Sequence, residues 1–212
     1  MSQLCAQNEA VKQAILARHG ESAFSVRGAM NGDPSVACPL TDLGREQAAL
    51  LGAALAGERI DLCVTSEFER VRETADLALA GRDVPRLVLP ELNDIRVGDY
   101  EGKTLADYRV WARAQNPDVD APGGGDSRAS VARRYVQAYR TILARPEQTI
   151  LVVTHGLPIR YVLNAAGGQD PTPVLDQVPY AEPHRLLREE LVAAIDRLAL
   201  WAERPSWSSS SA

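Results

Sequence analysis

Four short apolar runs, at 13–19, 60–66, 86–92 and 149–155, stand between breakers and polar segments, and each predicts a buried β-strand. The patterns between them have helical spacing. "TDLGREQAALLGAALA" starts at Thr41, a side chain suited to cap a helix, and "ERVRETADLALAG" stops at Gly81, a residue suited to end one. Farther on, "TLADYRVWARAQ" and "SRASVARRYVQAYRTILAR" read as two more helices, separated by the Pro/Gly/Asp loop "NPDVDAPGGGDS" at 116–127. Alternating strands and helices predict an α/β three-layer sandwich, in which a mostly parallel central sheet is flanked by helices. No repeat of solenoid length interrupts this order. Residues 1–204 are expected to form a single domain, with 205–212 as a solvated tail.

Two of the four runs end alike. "AILARHGES" (14–22) and "ILVVTHGLP" (150–158) both pass from an apolar stretch into His-Gly, which uses two of the three histidines in the chain, His19 and His155. In open parallel sheets the ligand site lies beyond the carboxyl ends of the strands, where both pairs fall. A neutral imidazole beside an arginine can act as a nucleophile whose product is stabilised at once by the neighbouring cation. Gly20 and Gly156 are read as positions of close backbone approach. His184, near a predicted helix start, has no partner motif.

Composition narrows the chemistry further. The formal net charge of -5 disfavours a sequence-independent nucleic-acid binder, which needs a basic face against phosphates. Lys12 and Lys103 are the only lysines among 23 basic residues, so nearly all positive charge is arginine, whose planar fork suits phosphate and carboxylate. Cys5, Cys38 and Cys63 are odd in number and widely spaced, which fits a reduced compartment and no structural zinc site. The N-terminal residues lack the order of a signal peptide, and no apolar run reaches transmembrane length, so cytoplasm is the expected location.

Four stretches together resemble the histidine phosphatase superfamily, in its phosphoglycerate mutase-like branch. "LARHGES" is similar to that family's L-x-R-H-G-E-S/T signature, "TSEFERVRETA" (65–75) to its S-x-x-x-R-x-x-x-T-A helix start, "LNDIRVGDYEG" (92–102) to its acid-bearing segment, and "VVTHG" to its second histidine motif. They follow the family's order over roughly residues 14 to 165. The resemblance implies His19 as nucleophile through a phosphohistidine, with Arg18, Arg70 and His155 around the phosphoryl oxygens. Counting from Ser66 selects Arg70; Arg72, two residues on, faces another side of a helix and is expected at the surface.

Three departures from the family pattern bear on acid and substrate. Aligning on "GDYEG" puts Asp94 where the family carries its proton-donating carboxyl, usually a glutamate, and Glu91, three residues earlier, stands as the alternative acid. After the signature, "AFSVRGAMNGDP" replaces the usual tryptophan-asparagine pair, leaving Ser25, Arg27 and Asn31, with Glu91, as candidate substrate contacts. "APGGGDS" resembles the P-G-G-E-S loop with one residue inserted and aspartate for glutamate.

The expected function is phosphomonoester hydrolysis on a small phosphorylated metabolite, with no cofactor and no metal. A cationic pocket repels divalent ions, and neither GxxxxGK[ST] nor GxGxxG is present. The expected partner is a small-molecule phosphate ester, with no nucleic acid and no membrane; a homodimer is compatible with this reading. Mutase-type phosphoryl transfer is the neighbouring alternative, disfavoured by "NDIRVGDYEG" in place of the mutase N-E-R-H-Y-G segment. A catalytically weak binding or regulatory module of the same fold is the second alternative.

Overall fold

The structure is a computed structural model that describes residues 11–207. Cys5, most of the N-terminal segment read above and the serine-rich end lie outside the described residues. Five strands, β1 (Gln13–Arg18), β2 (Leu62–Thr65), β3 (Arg86–Val88), β4 (Thr149–Thr154) and β5 (Pro183–Leu187), form one sheet in the order β3-β2-β4-β1-β5. All neighbours are parallel except β5, which runs antiparallel to β1.

The continuous apolar runs of β1 and β4 follow from burial on both sheet faces. Ala14, Leu16, Ile150 and Val152 point into one core, with α5 (Arg128–Leu143), α6 (Gly156–Ala166) and α7 (Arg188–Glu203) over them. Ile15, Ala17, Leu151 and Val153 point into the other, under α2 (Asp42–Ala54) and α3 (Glu69–Ala78). Each large side chain buried this way contributes about 1.5–3 kcal/mol. The result is the expected three-layer sandwich. Thr41 caps α2 by accepting from the Gly44 N–H at 3.0 Å, and Ser127 caps α5 through the Ser130 N–H at 3.2 Å.

Several details differ from the sequence reading. β3 ends at Val88 because Pro90 begins a 3-10 turn, Pro90–Leu92, that leaves the sheet. β5 escapes the apolar-run criterion because only Leu186 of its five residues is buried; His184 lies in this edge strand, ahead of α7. The expected solvated tail fails at Trp207, whose ring centroid lies 5.9 Å from that of Trp201 and whose indole N–H donates to the Gln115 carbonyl at 2.8 Å. Among the described residues no helix is long and apolar enough to cross a membrane.

Candidate active site

β1 and β4 are adjacent and in register, Arg18 opposite Thr154, so the residues that follow them emerge side by side. His19 donates its backbone N–H to the Thr154 carbonyl at 2.9 Å, and the His19 and His155 rings stand 5.4 Å apart between centroids. The repeated His-Gly therefore marks two neighbouring strand ends. Gly20 is required where it stands: a Cβ there would lie 2.4 Å from the Gly44 carbonyl oxygen, in the first turn of α2. Gly156 is different, since a Cβ would meet only the Arg18 side chain, at 3.6 Å or more, so close backbone approach is not what it provides.

His19 is buried, and its Nδ1 lies 2.7 Å from the Gly20 carbonyl oxygen. A carbonyl only accepts, so Nδ1 carries the proton and Nε2 presents its lone pair. Burial, reinforced by the Arg70 and Arg18 guanidiniums, holds this imidazole well below the ordinary histidine pKa of 6.5. This favours the neutral ring, the form in which an imidazole can act as a nucleophile.

Arg70, on the first turn of α3, is the hub of the site. Its Nε donates to His19 Nε2 at 3.2 Å, Nη1 to Asn31 Oδ1 at 2.5 Å, and Nη2 to the Asn31 carbonyl at 3.2 Å and to His155 Nδ1 at 3.3 Å. His155 Nε2 then donates to Ser66 Oγ at 2.9 Å. Burial first, then Arg70, depresses the His155 pKa well below the usual value. Thr74, one turn beyond Arg70, accepts from the Gly20 N–H at 3.0 Å and donates to the Arg70 carbonyl at 2.7 Å. The Ser66, Arg70, Thr74 spacing thus ties α3 to both histidine segments. Arg72 is exposed.

Asp94 faces the same cluster, with Oδ2 3.6 Å from His155 Nδ1 and 3.7 Å from Arg70 Nη2. Burial raises its pKa against the opposing pull of Arg70, which suits a carboxyl that must hold a proton before giving it. Its backbone is clamped. Arg134 of α5 donates to the carbonyls of Glu91, Asn93 and Asp94 at 3.1, 2.6 and 3.1 Å, and to Asp126 Oδ2 at 3.2 Å. Asp126, the aspartate of the "GGGDS" loop, also takes two bonds from the Arg96 guanidinium, at 3.0 and 2.7 Å. From the other side, the Thr154 hydroxyl donates to the Leu92 carbonyl at 2.9 Å.

These groups open onto a cavity of about 290 Å³ lined by Arg18, His19, Ser25, Asn31, Arg70 and Asp94, among others. His155 is fully buried beside it. Arg18 lies 4.0 Å from the Tyr180 ring centroid and donates Nη1 to the Val178 carbonyl at 2.8 Å; its Nε is buried without a partner. Ser25 pairs with Ser22 through their hydroxyls at 2.9 Å.

The structure does not bring every candidate together. Arg27 is exposed, outside the cavity lining, with its Nε on the Ala23 carbonyl and its guanidinium over the Phe24 ring, so it caps a short helix and does not face the site. Glu91 is likewise absent from the lining; only its carbonyl is used, by Arg134. Asn31 reaches the cavity with its amide oxygen committed to Arg70. Tyr180, Tyr108 and three arginines, Arg109, Arg128 and Arg160, line the cavity without any motif having marked them. Among the described residues, no three His, Cys, Asp or Glu side chains group to hold a metal ion.

A family model described as histidine phosphatase superfamily (branch 1) matches residues 14–190. The adenosylcobalamin/alpha-ribazole phosphatase of Salmonella typhimurium is 35% identical over 149 residues, covering 66% of this chain and 72% of that protein. A 2,3-bisphosphoglycerate-dependent phosphoglycerate mutase of Methylobacterium is 32% identical over 172 residues, covering 73% of this chain and 80% of the relative. Among solved structures, the alpha-ribazole phosphatase from Shigella flexneri superimposes with a TM-score of 0.69 at 27% identity, over 82% of this chain and 89% of that one.

Proposed function

The chain belongs to the histidine phosphatase superfamily, branch 1, and on that premise we propose that it hydrolyses a small phosphomonoester through a phosphohistidine, without metal. One observation carries this reading: His19 Nδ1 is pinned to the Gly20 carbonyl, which leaves the Nε2 lone pair at the cavity beside the Arg70 guanidinium.

A phosphoryl oxygen entering the cavity takes over the Arg70 donor now on His19, freeing the lone pair. Nε2 attacks phosphorus, the P–N bond forms, and the P–O bond to the leaving alcohol breaks in line. Arg18 and Arg70 hold the equatorial oxygens, where charge accumulates. His155, held neutral by burial and by the neighbouring Arg70, gains affinity for a proton once a phosphoryl dianion is adjacent. Asp94 gives its proton to the leaving alkoxide. As a carboxylate, it then accepts a proton from the water that attacks phosphorus, releasing phosphate and restoring neutral His19.

Hydrolysis of p-nitrophenyl phosphate in excess chelator tests the reading directly. Turnover that is lost in chelator and restored by a divalent ion contradicts it. The mutase relative supplies a second reading, phosphoryl transfer to a substrate hydroxyl through the same intermediate. Retention of the phosphoryl group on an organic product, with no inorganic phosphate released, would favour that one.

A further inference from the structure

Arg18 and Arg70 supply the charge that a phosphoryl group needs, yet three more guanidiniums, Arg109, Arg128 and Arg160, line the same cavity. They come from different helices: Arg109 from α4 (Leu105–Arg113), Arg128 from α5 and Arg160 from α6. Each leans on one segment, 173–178. Arg109 Nη2 reaches the Leu175 carbonyl and Arg128 Nη2 the Pro173 carbonyl, both at 3.5 Å, while Arg160 donates to the Asp176 and Gln177 carbonyls at 3.0 and 2.9 Å.

Carbonyls carry no formal charge, so these contacts leave the three cations unneutralised. None of the three has an ion-pair partner among the described residues, whereas Arg96 and Arg134 share Asp126, and Arg45 and Arg185 also sit on carboxylates. Against five lining arginines the cavity offers two carboxylates, Asp94 and Asp176. In a chain of net charge -5 the cavity is a cationic concavity. Such a concavity focuses its field on an incoming anion.

The contacts at 3.5 Å are longer than ordinary N–H···O bonds, and Arg128 Nε is buried without a hydrogen-bond partner. Leu105, Leu157 and Leu175 line the cavity as well.

We infer that Arg109, Arg128 and Arg160 form a second anion subsite, and that the substrate is a phosphomonoester bearing a further acidic group across a partly apolar body. The inference rests on the phosphatase reading above and narrows its substrate class.

Three synthetic phosphate esters with one alkyl chain, ending in a hydroxyl, a carboxylate or a second phosphate, test it. Both acidic esters should exceed the hydroxyl ester by about tenfold to a hundredfold in kcat/KM, chiefly through KM, and their order shows which acid is read. Arg109→Gln and Arg128→Gln should each cut that preference about tenfold. The arginines also steady segment 173–178, and loosening it would slow all three esters alike; only an anion subsite changes the ratio. Equal kcat/KM for the three esters in the unsubstituted protein, or an equal loss on all three in the variants, overturns the inference.

If none of the three esters turns over, the phosphatase reading is what has failed, and calorimetric titration of the same compounds into His19→Ala still reads the subsite. Tighter binding of the acidic esters, weakened by Arg128→Gln in that background, supports it; equal binding overturns it.

Discussion

Nε of Arg70 stands 3.2 Å from Nε2 of His19, so the cation proposed to hold the phosphoryl oxygens rests on the proposed nucleophile. The same guanidinium spans Asn31 and His155, a planar set of contacts that an ammonium cannot reproduce. Arg70→Lys should therefore lower kcat for an aryl phosphate by about 10²–10³, close to the loss in Arg70→Ala. Arg72→Ala should stay within about twofold of the unsubstituted rate, as expected for an exposed side chain off the site. Steady-state kinetics on the three variants checks this, and an essential Arg72 would contradict it.

Asp94 and Glu91 are separated by leaving-group chemistry. Asp94→Asn should slow alkyl phosphates about 10²–10⁴-fold and nitrophenyl phosphate far less, because nitrophenolate departs without a proton. Glu91→Gln should match the unsubstituted protein on both, since its side chain lies outside the cavity lining. The reverse pattern would move the acid role to Glu91.

The pH dependence follows from three displaced groups. The proposed mechanism requires a neutral His19, which is held below the usual histidine range, and a protonated Asp94, which is held above the usual aspartate range. Alkyl phosphate hydrolysis should therefore fall as pH rises through the Asp94 pKa and fall again where acid protonates His19, giving a bell-shaped profile bounded by these two groups. Stability moves with His19 and His155. Their folded pKa values lie below the unfolded 6.5, so the unfolded chain binds protons that the fold refuses. Their contribution is complete above the unfolded pKa and is lost as pH falls toward the folded ones. Calorimetry should show Tm dropping between about pH 7 and about pH 5, less steeply in a His19→Gln variant.

The backbone clamp on the acid segment yields a separate expectation. Arg134 holds the carbonyls of Glu91, Asn93 and Asp94, and Asp126 holds Arg134. Arg134→Gln should reproduce part of the Asp94→Asn signature, about tenfold on alkyl esters against little on nitrophenyl phosphate, as positional error in an acid predicts. A uniform loss on both ester classes would assign Arg134 to folding alone.

The clustering of His19, Arg70 and His155 was legible because each lies in a short local motif. Strands β1 and β4 are apolar on both faces, and their neighbouring carboxyl ends explain why His-Gly occurs twice. Arg70 was legible from the Ser66 to Thr74 register, since those three residues stitch one helix to two strand ends. Contacts set by tertiary packing were not legible. Tyr180 reaches Arg18 from a segment ahead of an edge strand whose polar residues hide it, and Arg109, Arg128 and Arg160 meet only where three helices converge on one loop. Arg27 misled for the same reason: its proximity to the signature places it near the site in sequence, while its side chain turns back onto Ala23 and Phe24.

The central claim is that phosphorus becomes bonded to His19. Acid-sensitive and base-sensitive phosphoenzymes differ, so rapid mixing with labelled substrate, followed by quenching into base and peptide mapping, reads the bonded atom. A base-stable, acid-labile label on the peptide holding His19, absent in His19→Ala, is the predicted result. A phosphoenzyme that is lost in the base quench but trapped on the Asp94 peptide by a parallel mild-acid quench, or turnover by His19→Ala at the unsubstituted rate, would contradict the account.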